Sequence, residues 1–364
     1  MRRALVTGAG GFIGQHIVRA ALAEGFAVRA TGSDDASLAP ARALGAETVT
    51  ADLRLGGRAA MEPLFAGIDT VLHAAGRFDF TLSALDLRGA NQVATERVIE
   101  AALEARVSSF VYLSSAGVYG LPVETPIAEG GEKRPRNAYE LSMWEGERAV
   151  LRAWRERGLP ARVLRPSLVF GPGGRYGIAV LLAGLSLARA YRAREVLFIE
   201  GAPLMHHVQV VDVARAALFL ASRDDTIGRA FNCAGDPPLA WSDLGARLCE
   251  SFGLGRRRVP ARLVSVLASL PEPVTVRANV RIARRWERLR EREGLVAALR
   301  PLFDCSLLGY LAGDHVYDTR ALAALGFRYH HPRLLDELDG LLEWYRAERW
   351  LPPPPPPPQS VRRG

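Results

Sequence analysis

Lysine is almost missing from this chain of 364 residues: Lys133 is the sole example, and arginine supplies nearly all of a basic total that leaves a net charge of +8. The arginines are scattered, usually stand beside Glu or Asp, and accompany no recognised binding motif, so nucleic acid is not an expected partner. A coding bias that converts lysine to arginine accounts for the charge more simply. Cysteine is scarce too. Cys233, Cys249 and Cys305 lie far apart with neither zinc nor redox spacing, so no metal is expected and a reduced compartment suits them. Long apolar runs are absent. The longest, residues 178–188, is interrupted by Gly184 and Ser186 and is shorter than the roughly 20 residues a spanning helix needs, so no transmembrane segment is expected. The opening run at 4–7 is too short for a signal core and passes straight into a glycine turn, so the expected location is cytoplasmic.

What is present is ample core material, with 49% hydrophobic residues. Strand-like and helix-like runs alternate to about residue 170, the pattern of an α/β fold with a doubly wound parallel sheet. The strands expected are 4–7, 27–31, 48–50, 70–73, 110–114 and 162–164. Ile13, Ile17, Ala20 and Ala21 recur at helical spacing between the first two. The expected organisation is a Rossmann-type domain over 1–170, re-entered at about 206–233, with a smaller interleaved substrate-binding lobe making up most of 171–350. The re-entry is read from 206–220, one more strand leading into a helix at Asp212. In 260–300, Ile282, Trp286 and Leu289 form an apolar stripe opposite Arg281, Arg284, Arg285 and Arg288, read as a surface helix with a solvated basic face, with a membrane-surface or lid role as the alternative. Asp318 to Trp350 holds a last helix pair. The proline run at 352–358 favours extended conformations, and 351–364 is expected to be a disordered tail.

Thr7-Gly8-Ala9-Gly10-Gly11-Phe12-Ile13-Gly14 stands between a strand and a helix, the context a phosphate-binding turn requires. Gly8 permits the tight turn, Gly11 lets backbone approach a pyrophosphate, and Gly14 allows close helix–strand packing. The anion then meets free N–H groups at the start of the helix, those of Phe12, Ile13 and Gly14.

Further motifs follow in order. Asn91 to Thr95, Leu113-Ser114-Ser115-Ala116-Gly117-Val118-Tyr119-Gly120, Asn137 to Met143, Arg165 to Gly173 and His207 to Arg215 together resemble the extended short-chain dehydrogenases/reductases, the superfamily of NAD-dependent epimerases/dehydratases and hydroxysteroid dehydrogenases. The resemblance runs to about residue 350. It implies an NAD(P)-dependent oxidoreductase that transfers hydride at a secondary alcohol or ketone. Tyr139 would exchange the hydroxyl proton and Ser115, reached by counting back from Val118, would hydrogen-bond the developing oxyanion. It also implies cofactor contacts at Asp52 and Leu53 for adenine, at His73, Ala74 and Ala75 over the adenosine half, and at Pro166 near the nicotinamide. Family members carry a lysine one helical turn after the tyrosine, binding the nicotinamide ribose and lowering the phenol pKa. Here that place is Met143, and a thioether supplies no charge.

An acidic residue after the second strand selects NAD through the ribose hydroxyls. Gly32 occupies the usual position, with Asp34 and Asp35 close behind, so NAD is expected and NADP remains open. Leu204-Met205-His206-His207 replaces the charged group that sugar-nucleotide enzymes of the superfamily show, which favours a hydrophobic sterol-, isoprenoid- or acyl-like small-molecule substrate. The alternatives are a sugar-nucleotide epimerase/dehydratase and a catalytically impaired dinucleotide-binding scaffold or redox sensor. The resemblance implies a homodimer through the helices near 86–105 and 139–157.

Overall fold

The computed structural model describes residues 2–55, 57–79, 82–199, 203–260, 266, 270–303 and 308–354. Cys305 and most of the proline tail fall outside them.

The chain opens with β1 (Arg3–Thr7), α1 (Phe12–Ala23), β2 (Ala27–Gly32), α2 (Asp35–Ala43), β3 (Glu47–Thr50), α3 (Arg58–Phe65) and β4 (Thr70–His73). Then come α4 (Ala84–Arg88), a π-helical turn at Gly89–Val93, α5 (Ala94–Glu104), β5 (Ser109–Leu113), a short 3-10 turn at Ala116–Tyr119, α6 (Ala138–Arg157), β6 (Ala161–Pro166) and β7 (Leu168–Phe170). The remaining elements are α7 (Ile178–Ala190), β8 (Glu195–Ile199), β9 (Leu204–Met205), β10 (His207–Gln209), α8 (Val210–Ala221), β11 (Ala230–Cys233), β12 (Leu239–Ala240), α9 (Trp241–Phe252), β13 (Gly255–Val259), α10 (Glu272–Glu293), α11 (Arg320–Ala324) and α12 (Leu334–Ala347).

Seven strands form one sheet in the order β11-β6-β5-β4-β1-β2-β3, every pair parallel. β4 and β5 are buried along their whole length, as strands covered on both faces must be, and their sequences are correspondingly apolar. One core lies under α1, α2 and α8, with Ile17, Leu38, Val213 and Phe231 at its centre; the other lies under α3, α5 and α6, with Leu64, Val98 and Val150. The result is a Rossmann-like doubly wound α/β fold. Its topological switch falls between β1 and β4, so their carboxyl ends open a crevice where such sheets bind ligands.

The return to the sheet differs from the sequence expectation. β10 does begin near residue 206 and α8 follows it, yet β10 pairs with β7 in a separate two-stranded ribbon. The seventh sheet strand is β11, whose Phe231 lies opposite Leu164 of β6. Ala-Phe-Asn-Cys is four residues long without alternation, too little pattern to announce a strand.

The chain divides into two compact units: Met1–Gly171 with His206–Pro238 and His315–Leu334, and Pro172–Met205 with Leu239–Asp314 and the residues from Leu335. His315–Leu334 is fastened to the first unit by an Ile127–Tyr317 bridge and by His206 N donating to the His315 carbonyl at 3.0 Å. In the second unit β8 pairs with β13 and β9 with β12, while Tyr345 Oη donates to the Gly174 carbonyl at 2.7 Å.

Candidate active site

The glycine turn leaves β1 and enters α1 as its spacing requires. Gly8 has φ +65°, and a Cβ there would sit 2.7 Å from the backbone of Ala74 and Ala75. A Cβ on Gly14 would overlap the Gly8 carbonyl oxygen. Gly11 is different: its Cβ would meet only the Gly8 carbonyl oxygen, at 3.1 Å, so the space beyond is open to a ligand. Gly11 caps α1 without a side-chain hydrogen bond, and the first turn, which begins Phe12-Ile13-Gly14, holds no acidic residue. Uncapped N–H groups at the positive end of a helix dipole suit an anion. Thr31 Oγ1, at the end of β2 beside Thr7, is buried without a hydrogen-bond partner. These features fit a dinucleotide.

Around the turn, the carboxylates have local duties. Asp34 caps α2 by accepting from Ser37 N at 2.8 Å, and Asp35 pairs with Arg42. Asp52 accepts from Arg54 Nη2 at 2.6 Å, which holds its carboxyl below the usual range, and Leu53 beside it is buried. His73 turns its ring inward. Thr95 Oγ1 donates its proton to the Asn91 carbonyl, so His73 Nε2, 3.0 Å away, is the donor of that pair, and Nδ1 accepts from Thr7 Oγ1 at 2.6 Å. Burial lowers the imidazole to about 3, so it is neutral. What the 73–75 segment presents at the crevice is therefore the backbone of Ala74 and Ala75.

The two residues expected to carry the chemistry meet where β5 ends. Ser115 caps the 3-10 turn, its Oγ accepting from Gly117 N at 3.0 Å, and it hydrogen-bonds the phenol of Tyr139. Tyr139 is the second residue of α6, whose cap Asn137 accepts from Glu140 N at 2.9 Å. Phe78 stands edge-on to its ring at 4.8 Å. Burial pushes the phenol up to about 12, with the Ser115 hydrogen bond working against the rise. One turn on, Met143 is 6% exposed and packs in the same apolar cluster as Tyr139, Ala116 and Val118.

The loop cations before α6 are engaged elsewhere. Lys133 Nζ donates to the Glu129 carbonyl at 2.7 Å and lies over the rings of Tyr119 and Trp144, Arg134 pairs with Glu132, and Arg136 with Glu140.

A buried polar network joins Ser114, Tyr119 and Arg165 of the quoted motifs to Glu147 and Asn232, which belong to none. Arg165 donates through Nε to Glu147 at 3.0 Å and through Nη1 to Tyr119 Oη at 2.6 Å; Ser114 Oγ donates to Glu147 at 2.7 Å and Tyr119 Oη to Asn232 at 2.7 Å. It ties α6 to β5, β6 and β11. Pro166 follows Arg165, and Ser167 Oγ beside it is buried without a partner. Among the described residues, no group of His, Cys, Asp or Glu is arranged to hold a metal.

Residues 4–234 match the model of the NAD dependent epimerase/dehydratase family. The chain is 30% identical over 174 residues to the 4-hydroxy-2-methyl-3-oxo-4-farnesyl-3,4-dihydroquinoline-1-oxide ketoreductase of Stigmatella aurantiaca, covering 46% of this chain and 51% of that protein. It is 28% identical over 304 residues to 3beta-hydroxysteroid-dehydrogenase/decarboxylase isoform 2 of Arabidopsis thaliana, covering 74% and 52%. The chain thus spans about half the length of the curated relatives it matches. The UDP-glucose 4-epimerase structure from Thermotoga maritima superposes with a TM-score of 0.72 at 20% identity, covering 95% of this chain and 99% of that one, which speaks to the fold. With residues 4–234 matched by the family model over a parallel doubly wound sheet, the chain belongs to the NAD-dependent epimerase/dehydratase family.

Proposed function

We propose that the protein is an NAD(P)-dependent ketoreductase acting on a hydrophobic, isoprenoid- or sterol-like substrate, with Tyr139 as proton donor and Ser115 as oxyanion partner. The observation that carries this reading is the hydrogen-bonded Ser115–Tyr139 pair with a phenol held near 12. A phenol that keeps its proton at neutral pH is poorly suited to abstract one from an alcohol and well suited to deliver one to an alkoxide, which is far more basic. That favours reduction. The ketoreductase and hydroxysteroid dehydrogenase among the relatives support an apolar substrate.

NAD is the cofactor of this family. The 8–14 turn would hold its pyrophosphate; Asp34, Asp52 and Leu53 the adenosine side; the Ala74–Ala75 backbone would close over it; and Pro166 with Tyr139 and Met143 would line the nicotinamide end. Bound there, NAD(P)H would supply the hydride. Tyr139 then gives up its proton to the oxygen while Ser115 steadies the charge, and Met143 contributes packing where a cation is usual. Operation in the cytoplasm suits two buried free thiols, Cys233 and Cys249. A homodimer through α4, α5 and α6 is supported by the exposed Leu85 and Leu141 on α4 and α6, and light scattering at working concentration tests it.

Reduction of a panel of farnesyl and sterol ketones with NADH and NADPH tests the function, with Tyr139→Phe as the control. Turnover that falls at least 100-fold in the variant agrees with general-acid catalysis; turnover that survives removes Tyr139 from the chemistry. Met143 favours a second reading, an NAD-binding scaffold or sensor. Tight NAD binding without turnover on any ketone, sugar nucleotide or alcohol would select it.

A further inference from the structure

The arginine-rich helix of the second unit carries a face unused by the reductase chemistry. α10 packs through Trp286 and Leu289, which are 3% and 2% exposed, and Trp286 Nε1 donates to the Leu299 carbonyl at 2.8 Å. On the far side, Arg277, Arg281, Arg284 and Arg288 follow one another at i, i+4, i+7 and i+11, so they fall within about 60° of one another around the axis. Among the described residues none of these four joins an ion pair, whereas Arg290 and Arg292 near the helix end pair with Glu287 and Glu293. Val274 and Val280 flank the stripe, with Val276 beyond Val280; they are 45%, 44% and 51% exposed. Glu287 and Glu291 follow Arg284 and Arg288 at i+3 in the second half of the helix, but Arg277 and Arg281 have no acidic residue at i+3 or i+4, where an ordinary solvated face would carry acidic partners and good helix formers rather than branched apolar side chains.

Exposed valines flanking unpaired cations in the first half of the helix, with further arginines on the same face through Arg288, match a charged boundary with apolar edges. We propose that this face of α10 lies on an anionic lipid surface, the arginines meeting headgroup phosphates and the valines entering the acyl boundary. Nucleic acid fits the charge but not the valines, and Asn279 is committed to Phe303, donating to its carbonyl at 2.9 Å and accepting from its N–H at 2.7 Å. No described helix is long and apolar enough to cross a membrane, so the contact is peripheral. It stands independently of the proposed reductase activity.

Co-sedimentation of the full chain with phosphatidylcholine vesicles, with and without a quarter phosphatidylglycerol, tests it. The protein should pellet only with the anionic vesicles and be released by high salt. Arg281→Glu/Arg284→Glu should weaken binding at least about tenfold, since each cation near such a surface contributes about 1 kcal/mol. Val276→Ser/Val280→Ser should weaken it by about fivefold with the charge unchanged. The matched reversal Arg19→Glu/Arg152→Glu, on α1 and α6, should have little effect; all variants are checked for unchanged circular dichroism. No pelleting with anionic vesicles would overturn the proposal. So would equal loss in the matched reversal, or full binding by the valine variant together with displacement by duplex RNA, which marks a polyanion surface.

Discussion

Tyr139 keeps its proton because its surroundings offer an apolar cluster and a serine hydroxyl but, at position 143, no cation. Each unit of phenol pKa corresponds to about 1.4 kcal/mol between the two protonation states, so one ammonium at that position has leverage on the chemistry. Ser115 and Tyr139 were picked out from motifs, Ser115 by counting back from Val118 and Tyr139 from the Asn137–Met143 segment, and the fold brings the two side chains together. Glu147 was not legible, because a charged residue is read as exposed until its partner is seen, and Arg165 was read only as the start of the 165–173 motif, without its ion pair. His73 was legible only as part of a loop. Its ring is neutral in the fold, depressed to about 3 against 6.5 for the free side chain, so unfolding takes up a proton once the pH drops below 6.5. Stability should therefore be intact above 6.5 and fall as the pH drops toward 3, by at most about 1.4 kcal/mol per pH unit from this group. Urea denaturation at pH 7 and at pH 5 should show the loss, and His73→Gln should flatten the difference. His206, lowered to about 4 by burial, adds in the same direction and limits how flat the variant can become.

At the scale of elements, α6 is what brings the site together, and two features hold it in place. Gly146 lets it approach the π-helical turn: a Cβ there would stand 2.6 Å from Tyr112 Oη and 2.7 Å from the Asn91 carbonyl oxygen. Gly146→Ala should thus destabilise the fold by about 1–3 kcal/mol despite the better helix propensity of alanine, a sign that chemical denaturation reads directly. The second is the buried Arg165–Glu147 pair. Arg165→Met leaves Glu147 charged without its partner, which costs about 3–5 kcal/mol, whereas replacing both by apolar residues should recover much of the loss. A double-mutant cycle checks both values. Elements with strong periodicity, such as β1, α1 and β4, were readable to within a residue or two. β11 was not, because its membership depends on pairing with β6 rather than on its own four residues.

For the whole molecule, the order β3-β2-β1-β4 places the glycine turn at the switch point; the alternation of strands and helices made the parallel sheet readable, but not this order, which depends on pairing between distant strands. The second unit was less legible, since short ribbons such as β9–β12 gain their identity from contacts distant in sequence. Gly11→Val separates folding from cofactor binding, because among the described residues its Cβ would meet the Gly8 carbonyl oxygen alone. The variant should fold, yet lose the stabilisation that NAD gives the wild type, about 2.7 kcal/mol at a hundredfold excess over Kd, as seen in thermal denaturation. The measurement that bears most directly on the central claim is the pH–rate profile of ketone reduction for wild type, Met143→Lys and Tyr139→Phe. Wild-type reduction should persist until the phenol ionises far above neutrality, the basic limb should move to lower pH by at least one unit in Met143→Lys, and Tyr139→Phe should lose nearly all activity. A wild-type profile that Tyr139→Phe leaves unchanged, or a basic limb that Met143→Lys does not move, would contradict that claim.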